Sequence, residues 1–197
     1  MPRNLPDLDV LLADIRRCDL CAADLPLGPN PVVRASVTAK LLIVGQAPGT
    51  RVHETGIPWN DRSGDQLRDW LALDKDVFYD ESRVAIMPMG FCYPGVEARG
   101  GDKPPRPECA PAWHDLLLPQ MLAVEVVLLV GMYAQRHYLG GKRKRTLTDT
   151  VAAWRDYAPR HIPLPHPSWR NNHWRKKNPW FEGDVVPMLR NRVSGVL

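Results

Sequence analysis

Four cysteines form the strongest chemical pattern in this sequence: Cys18 and Cys21 in a C-x-x-C, then Cys92 and Cys109, separated by sixteen residues of a proline-rich stretch. Two pairs with nothing left over fit a single four-thiolate site for a metal ion or an iron–sulfur cluster. The competing reading is four reduced thiols with no joint role. Disulfides are disfavoured by the expected compartment. The opening MPRNLPDLDVLLADIRRC carries acids among its apolar residues and lacks the charged-then-apolar order of a secretory signal, so the expected address is the cytoplasm. No run of 18 apolar residues occurs, which argues against a membrane-spanning helix. A net charge of +4 and a pI near 9.0 permit an anionic partner such as nucleic acid without demanding one. Phosphate chemistry of the P-loop kind is excluded, because no G-x-x-x-x-G-K-[ST] occurs.

The elements that must position these groups follow from periodicity. At 44% hydrophobic and 24% charged, 197 residues suffice for one core, and a single domain over 1–197 is expected. Residues 6–17 read as an amphipathic helix with Leu8, Leu11, Leu12 and Ile15 at helical spacing and Asp7 or Asp9 at its start. KLLIVG (40–45), RVAIMPM (83–89), VEVVLLVG (124–131) and IPLPHPS (162–168) read as strands. Helices are expected after Ser63, which with Gln66 looks like a capping box, and over APAWHDLLLPQML, MYAQRHYL, TLTDTVAAWRDY and EGDVVPMLRNRV. QAPGTRVHETGIPWNDRSG and GFCYPGVEARGGDKPPRPEC read as long loops, and GGKRKR as a flexible basic one.

Strand and helix alternate, which predicts a three-layer α/β/α domain with a central, mainly parallel four-stranded sheet. Ligands bind such sheets beyond the carboxyl ends of the strands. GQAPG, GFCYPG, GMYA and HPS stand at those ends, so chemistry is expected there.

LLIVGQAPGTRVHETGIPWNDRSGDQL, followed far downstream by LPHPSWRNN, resembles the uracil-DNA glycosylase superfamily. It is most similar to family 4, the iron–sulfur branch. That family shows, in order, a C-x-x-C, a G-E-A-P-G strand end, a G-x-P-F segment, a cysteine-bearing strand end, a further cysteine and an H-P-S. Elements corresponding to these run from about residue 15 to 190 here. The resemblance implies that Cys18, Cys21, Cys92 and Cys109 hold a 4Fe-4S cluster, with zinc as the alternative. It places Gly45, Gln46, Ala47, Pro48 and Gly49 against a flipped base and its sugar. Trp59 matches the aromatic residue that stacks on the base. His166 matches the histidine that donates to the leaving base, with Ser168 beside it. A donor aimed at the developing oxyanion lowers the barrier to N-glycosidic cleavage. The stretch after His166 implies DNA contact through Trp169, Arg170, Asn171, Asn172, Arg175 and Lys176, because family enzymes insert this loop into DNA. A second basic run, Lys142 to Arg145, fits either a solvated loop or a phosphate contact.

The chain departs from the family at three positions. Gln46 replaces the family glutamate. Ala47 stands where the family 1 motif G-Q-D-P carries its water-positioning aspartate. Pro88 occupies the position of the asparagine that reads the uracil edge. Gln46, His53, Asn60 and Asp61 are the candidates to hold the water or the base instead. The expected function is a monofunctional DNA glycosylase acting on uracil or a related deaminated or modified base, working as a monomer on DNA with a flipped base. The alternative is a catalytically weak or silent nucleic-acid- or base-binding module on the same fold.

Overall fold

A computed structural model describes residues 7–98 and 100–197. The sheet consists of β1 (Leu41–Val44), β2 (Val84–Ile86), β3 (Val126–Val130) and β4 (His161–Leu164), all parallel, in the order β2-β1-β3-β4. Every side chain of β1, β2 and β3 is buried, which is why these segments are apolar without alternation.

Both faces are covered. Leu42, Val44, Ala85, Met87, Val127 and Leu129 point into one core with α1 (Leu8–Arg16), α5 (Cys109–Leu117) and α6 (Met132–Leu139). Leu41, Ile43, Val84, Ile86, Leu128, Ile162 and Leu164 point into the other. That second core is closed by α3 (Arg62–Leu71), α4 (Lys75–Tyr79), α7 (Leu147–Ala152) and α9 (Val186–Ser194). The expected three-layer α/β/α architecture is thus observed.

Local chemistry sets the boundaries. Asp7 caps α1 by accepting from the Asp9 amide at 2.9 Å, and Thr146 caps α7 through the Asp149 amide at 3.0 Å. Four readings need correction. The cap of α3 is Asp61, whose Oδ1 accepts from the Gly64 amide at 2.8 Å, and not Ser63. Gln66 does not reach back to the cap; its Nε2 donates to Asp69 and its Oε1 accepts from Arg175. The first long loop contains a short helix, α2 (Thr50–Thr55), ended by Gly56 in the left-handed region. The basic-aromatic stretch after His166 folds into a turn and α8 (Asn172–Lys177), and the final helix begins as a π turn over Phe181–Val185. Helix α4, between α3 and β2, escaped the sequence reading. These are short, marginal helices whose stability comes from packing and not from propensity.

Candidate active site

The chain steps from β1 outward to β2, then crosses back to place β3 on the other side of β1. A crevice opens at such a reversal, beyond the carboxyl ends of the two strands. Here a cavity of about 380 Å³ lies there. Its walls come from the segment after β1 (Gly45, Gln46, Ala47, Pro48, Gly49), from Trp59 and Asp61 before α3, and from His166, Ser168, Trp169 and Arg170 after β4. Segments that read as separate loops in the sequence therefore share one cavity.

Trp59 is held from several sides. Its φ is +55°, a left-handed conformation that is costly for a bulky side chain and persists only when the surroundings impose it. Its carbonyl accepts from the Arg68 guanidinium at 3.2 Å and from the Tyr79 hydroxyl at 3.3 Å. Arg68 is itself buried at 6% exposure, paired with Asp65 at 2.6 Å and stacked on Phe78 and Tyr79. Gly64 is required, because a Cβ there would lie 1.7 Å from the Trp59 carbonyl oxygen. Gly45 is required for a second reason: a Cβ there would meet the Trp59 ring at 2.8 Å. The strand end, the helix start and the indole form one rigid unit.

His166 stands across from that unit, with ring centroids 5.6 Å apart at an interplanar angle of 37°. The Asn171 amide donates to its carbonyl at 2.7 Å, and Gln135, 3% exposed, fixes the end of β4 by donating to the Leu164 carbonyl at 2.9 Å. Burial lowers the His166 pKa, opposed by the carboxylates of Asp61 and Asp102. The ring is consequently neutral at neutral pH and presents an N–H donor without a full charge.

Three arginines line the cavity: Arg51 from α2, Arg62 from α3 and Arg170. None has a carboxylate partner among the described residues. Arg51, Arg62 and Asp102 were not identified from sequence. The two arginines flank a motif already known to face the site, and that position was the available signal. Asp102 sits in a glycine- and proline-rich loop with no local pattern to mark it.

Other expected site residues lie elsewhere. His53 is absent from the cavity wall, although its neighbours Arg51 and Val52 line it. Its ring lies 6.0 Å from that of Tyr93, and its buried Nδ1 has no partner. Asn60 is likewise absent from the wall that Trp59 and Asp61 form on either side of it. Gln46 lines the cavity, but its amide nitrogen donates to the Lys103 carbonyl at 3.1 Å. Asn171 lines a neighbouring recess with His166 and Trp174. Arg175 is bound to Glu182 at 2.7 Å and to Gln66 at 2.8 Å, which ties it to the body of the protein. Asn172 and Lys176 line a separate surface groove, and Trp169 is 66% exposed.

Pro88 forms part of the cavity wall with Ile86 and Val32. Its carbonyl is taken by His114, whose Nε2 lies 3.0 Å away and whose Nδ1 lies 2.8 Å from the Tyr138 hydroxyl. Burial pushes the His114 pKa down to about 4 and raises that of the Tyr138 hydroxyl, so both stay neutral. A neutral ring donating to Pro88 and accepting from Tyr138 satisfies every group.

The four cysteines also converge. Cys18, Cys21, Cys92 and Cys109 surround one small, enclosed space with Leu20, Pro31, Phe91 and Trp113. Burial raises the Cys109 thiol to about 12 and the Cys92 thiol to about 11. The Phe91 amide donates to the Cys109 sulfur at 3.3 Å. Among the described residues no three His, Cys, Asp or Glu side chains are grouped so as to hold a single metal ion. No described helix is long and apolar enough to cross a membrane.

Among solved structures, the crystal structure of wild-type Pedobacter heparinus SMUG2 aligns over 78% of this chain and 76% of that one, at 13% identity and a TM-score of 0.39. The Uracil DNA glycosylase superfamily profile matches residues 33–190, which include both β1 with its GQAPG segment and the His166 loop. This chain belongs to the uracil DNA glycosylase superfamily, whose members are DNA glycosylases.

Proposed function

We propose that the protein is a monofunctional DNA glycosylase that removes uracil, or a related deaminated or modified base, by hydrolysing its N-glycosidic bond. The carrying observation is the neutral His166 ring facing Trp59 within one cavity at the sheet reversal. A flipped base stacks on Trp59. As the bond from the sugar carbon to the base nitrogen breaks, its electron pair goes to the base. The His166 N–H stabilises the resulting oxyanion. The carboxylates of Asp61 and Asp102 supply negative charge near the sugar cation, water adds its oxygen to that carbon, and the proton it sheds ends on the departed base anion, which leaves as the neutral base. Arg51, Arg62 and Arg170 suit the phosphates on either side of the flipped nucleotide. The site is complete within one chain, which suits a monomer.

The apolar wall of Ile86, Val32 and Pro88 bears on which base is taken. With His114 bonded to the Pro88 carbonyl, that wall presents only apolar side chains to a pyrimidine edge. Gln46, committed to Lys103, and Ala47 support the second reading, a weak or silent base-binding module.

The cysteine corner suits a 4Fe-4S cluster, with a zinc ion as the alternative, because the four thiols line one small space and four thiolates serve either group. Such a cluster would tie the start of the chain to the segment after β2. Its role would be structural.

The test is incubation with duplex and single-stranded oligonucleotides carrying uracil, hypoxanthine, xanthine or 5-hydroxymethyluracil. Alkali-labile abasic sites at one lesion, abolished in His166→Ala, are expected. Tight binding without strand scission by either protein would favour the silent module.

A further inference from the structure

We propose that the corner between α6 and α7 is a second phosphate-binding surface, which holds the backbone of the same DNA beside the lesion; this rests on the DNA glycosylase reading above. Arg136, Gly140, Gly141, Arg143, Lys144 and Arg145 line a surface cleft of about 530 Å³. Residues 131–157 contain six lysines and arginines and only two carboxylates, Asp149 and Asp156. Both carboxylates are engaged. Asp149 accepts from the Thr146 hydroxyl at 2.7 Å, and Asp156 pairs with Lys144 at 2.6 Å. Arg136, Arg143 and Arg145 are left without a carboxylate partner among the described residues.

A flexible basic loop would carry no inference, but this one is fixed. The Lys144 amide donates to the Thr150 hydroxyl at 3.1 Å, Thr150 is 2% exposed, and the Tyr157 hydroxyl donates to the Lys142 carbonyl at 3.0 Å. The guanidinium stems therefore start from a set backbone, and less ordering entropy is lost when an anion docks. Cations at a helix C-terminus also answer the helix dipole, which accounts for Arg136 and His137 in the last turn of α6. Arg143 and Arg145 lie beyond that turn and are not accounted for in this way.

The two helices that flank this cleft also reach the active site. Met132 and Tyr133 at the start of α6 and Leu147 at the start of α7 line a recess of about 150 Å³ together with His166, Asn171 and Trp174. Arg145 precedes Leu147 by two residues. The eight residues of α6 span about 12 Å, which separates its His166 end from its basic end. Along a duplex carrying one phosphate per roughly 3.4 Å of each strand, that span corresponds to about three to four base pairs from the lesion. The ligand is a run of phosphodiesters at that distance.

The experiment uses the full-length protein and its Arg143→Glu/Arg145→Glu variant, with Arg143→Gln/Arg145→Gln as a milder pair. Binding of a labelled uracil-containing duplex is followed by fluorescence anisotropy across a salt series. Two probes are compared, one with ten base pairs on each side of the lesion and one with two. The slope of log affinity against log salt should fall by about 1.8 on the long duplex for either variant pair, at roughly 0.9 per lost phosphate contact. The short duplex should show no change. An unchanged slope on the long duplex in a variant that melts like the wild type overturns the proposal, as does wild-type protein that does not bind DNA. Loss of slope without excision of any lesion by wild type would reject the glycosylase reading and leave this surface standing.

Discussion

The cavity and the cysteine corner are both built at the carboxyl ends of neighbouring strands, yet they treat charge in opposite ways. Around the cavity, Arg51, Arg62 and Arg170 stand without a paired carboxylate among the described residues, and Arg170 leans on the Trp169 ring at 5.5 Å. At the cysteine corner the one cation, Arg106, is held by Asp24 and Glu108, each at 2.8 Å. Unneutralised guanidinium groups repel one another and suit a place where an anion arrives; a doubly paired one is scaffold. Burial separates the two regions again. It keeps His166 neutral, whereas it keeps the Cys92 and Cys109 thiols protonated.

The largest test of that contrast is His166→Ala. Excision should fall by a factor on the order of 10² to 10³, the cost of removing one oxyanion donor, while the melting temperature stays put. Parallel loss of rate and stability would erase the distinction. Cys109→Ala should do the reverse. Iron and sulfide disappear from elemental analysis, and about 3 kcal/mol of stability goes with them, read as a melting point lower by roughly 10 °C. A variant that melts like the wild type would mean four unconnected thiols.

The buried histidine that links the two regions gives a pH test. The folded pKa of His114 is about 4, below the value of 6.5 for an exposed ring, so the unfolded chain binds more protons across that window. Stability is fully present above pH 6.5 and declines as pH falls toward 4, by about 3 kcal/mol at 1.36 kcal/mol per unit. Urea midpoints measured at intervals across the window should slope accordingly, and a flat series would contradict the buried neutral ring. The lowered pKa of His166 likewise predicts an excision rate that holds as pH falls through 6.5. Gly45→Ala is a smaller perturbation. Its Cβ displaces the Trp59 ring, and a loss of about 1 kcal/mol of stacking should appear as a several-fold rise in KM. Smallest of all, Arg62→Gln should reduce the salt slope of DNA binding by about 0.9 with little change in rate.

Much of this molecule follows from local rules. The apolar runs at Leu41, Val84 and Val126 announce buried parallel strands because fully covered strands need no alternation. A cap-forming residue near Asp7 or Asp9 signals the start of α1 because such a side chain satisfies a free amide, and the structure makes it Asp7. The order of the GQAPG, GIPW and HPS segments was enough to indicate the superfamily and, with it, Trp59 and His166.

The rest required the third dimension. Ser63 with Gln66 fits a capping box as well as Asp61 with Gly64 does, and only the approach of the Trp59 carbonyl to Gly64 decides between them. His53 and Asn60 sit beside cavity residues in sequence, but side-chain direction after a turn depends on backbone angles that the sequence does not state. Arg175 reads as a DNA contact until Glu182 and Gln66 are found around it. The sequence by itself determined the strands and the motifs, because each depends on residues a few positions apart. Only the tertiary structure decided which charges remain unpaired and which side chains share a cavity, because those depend on partners brought close by the sheet from distant parts of the chain.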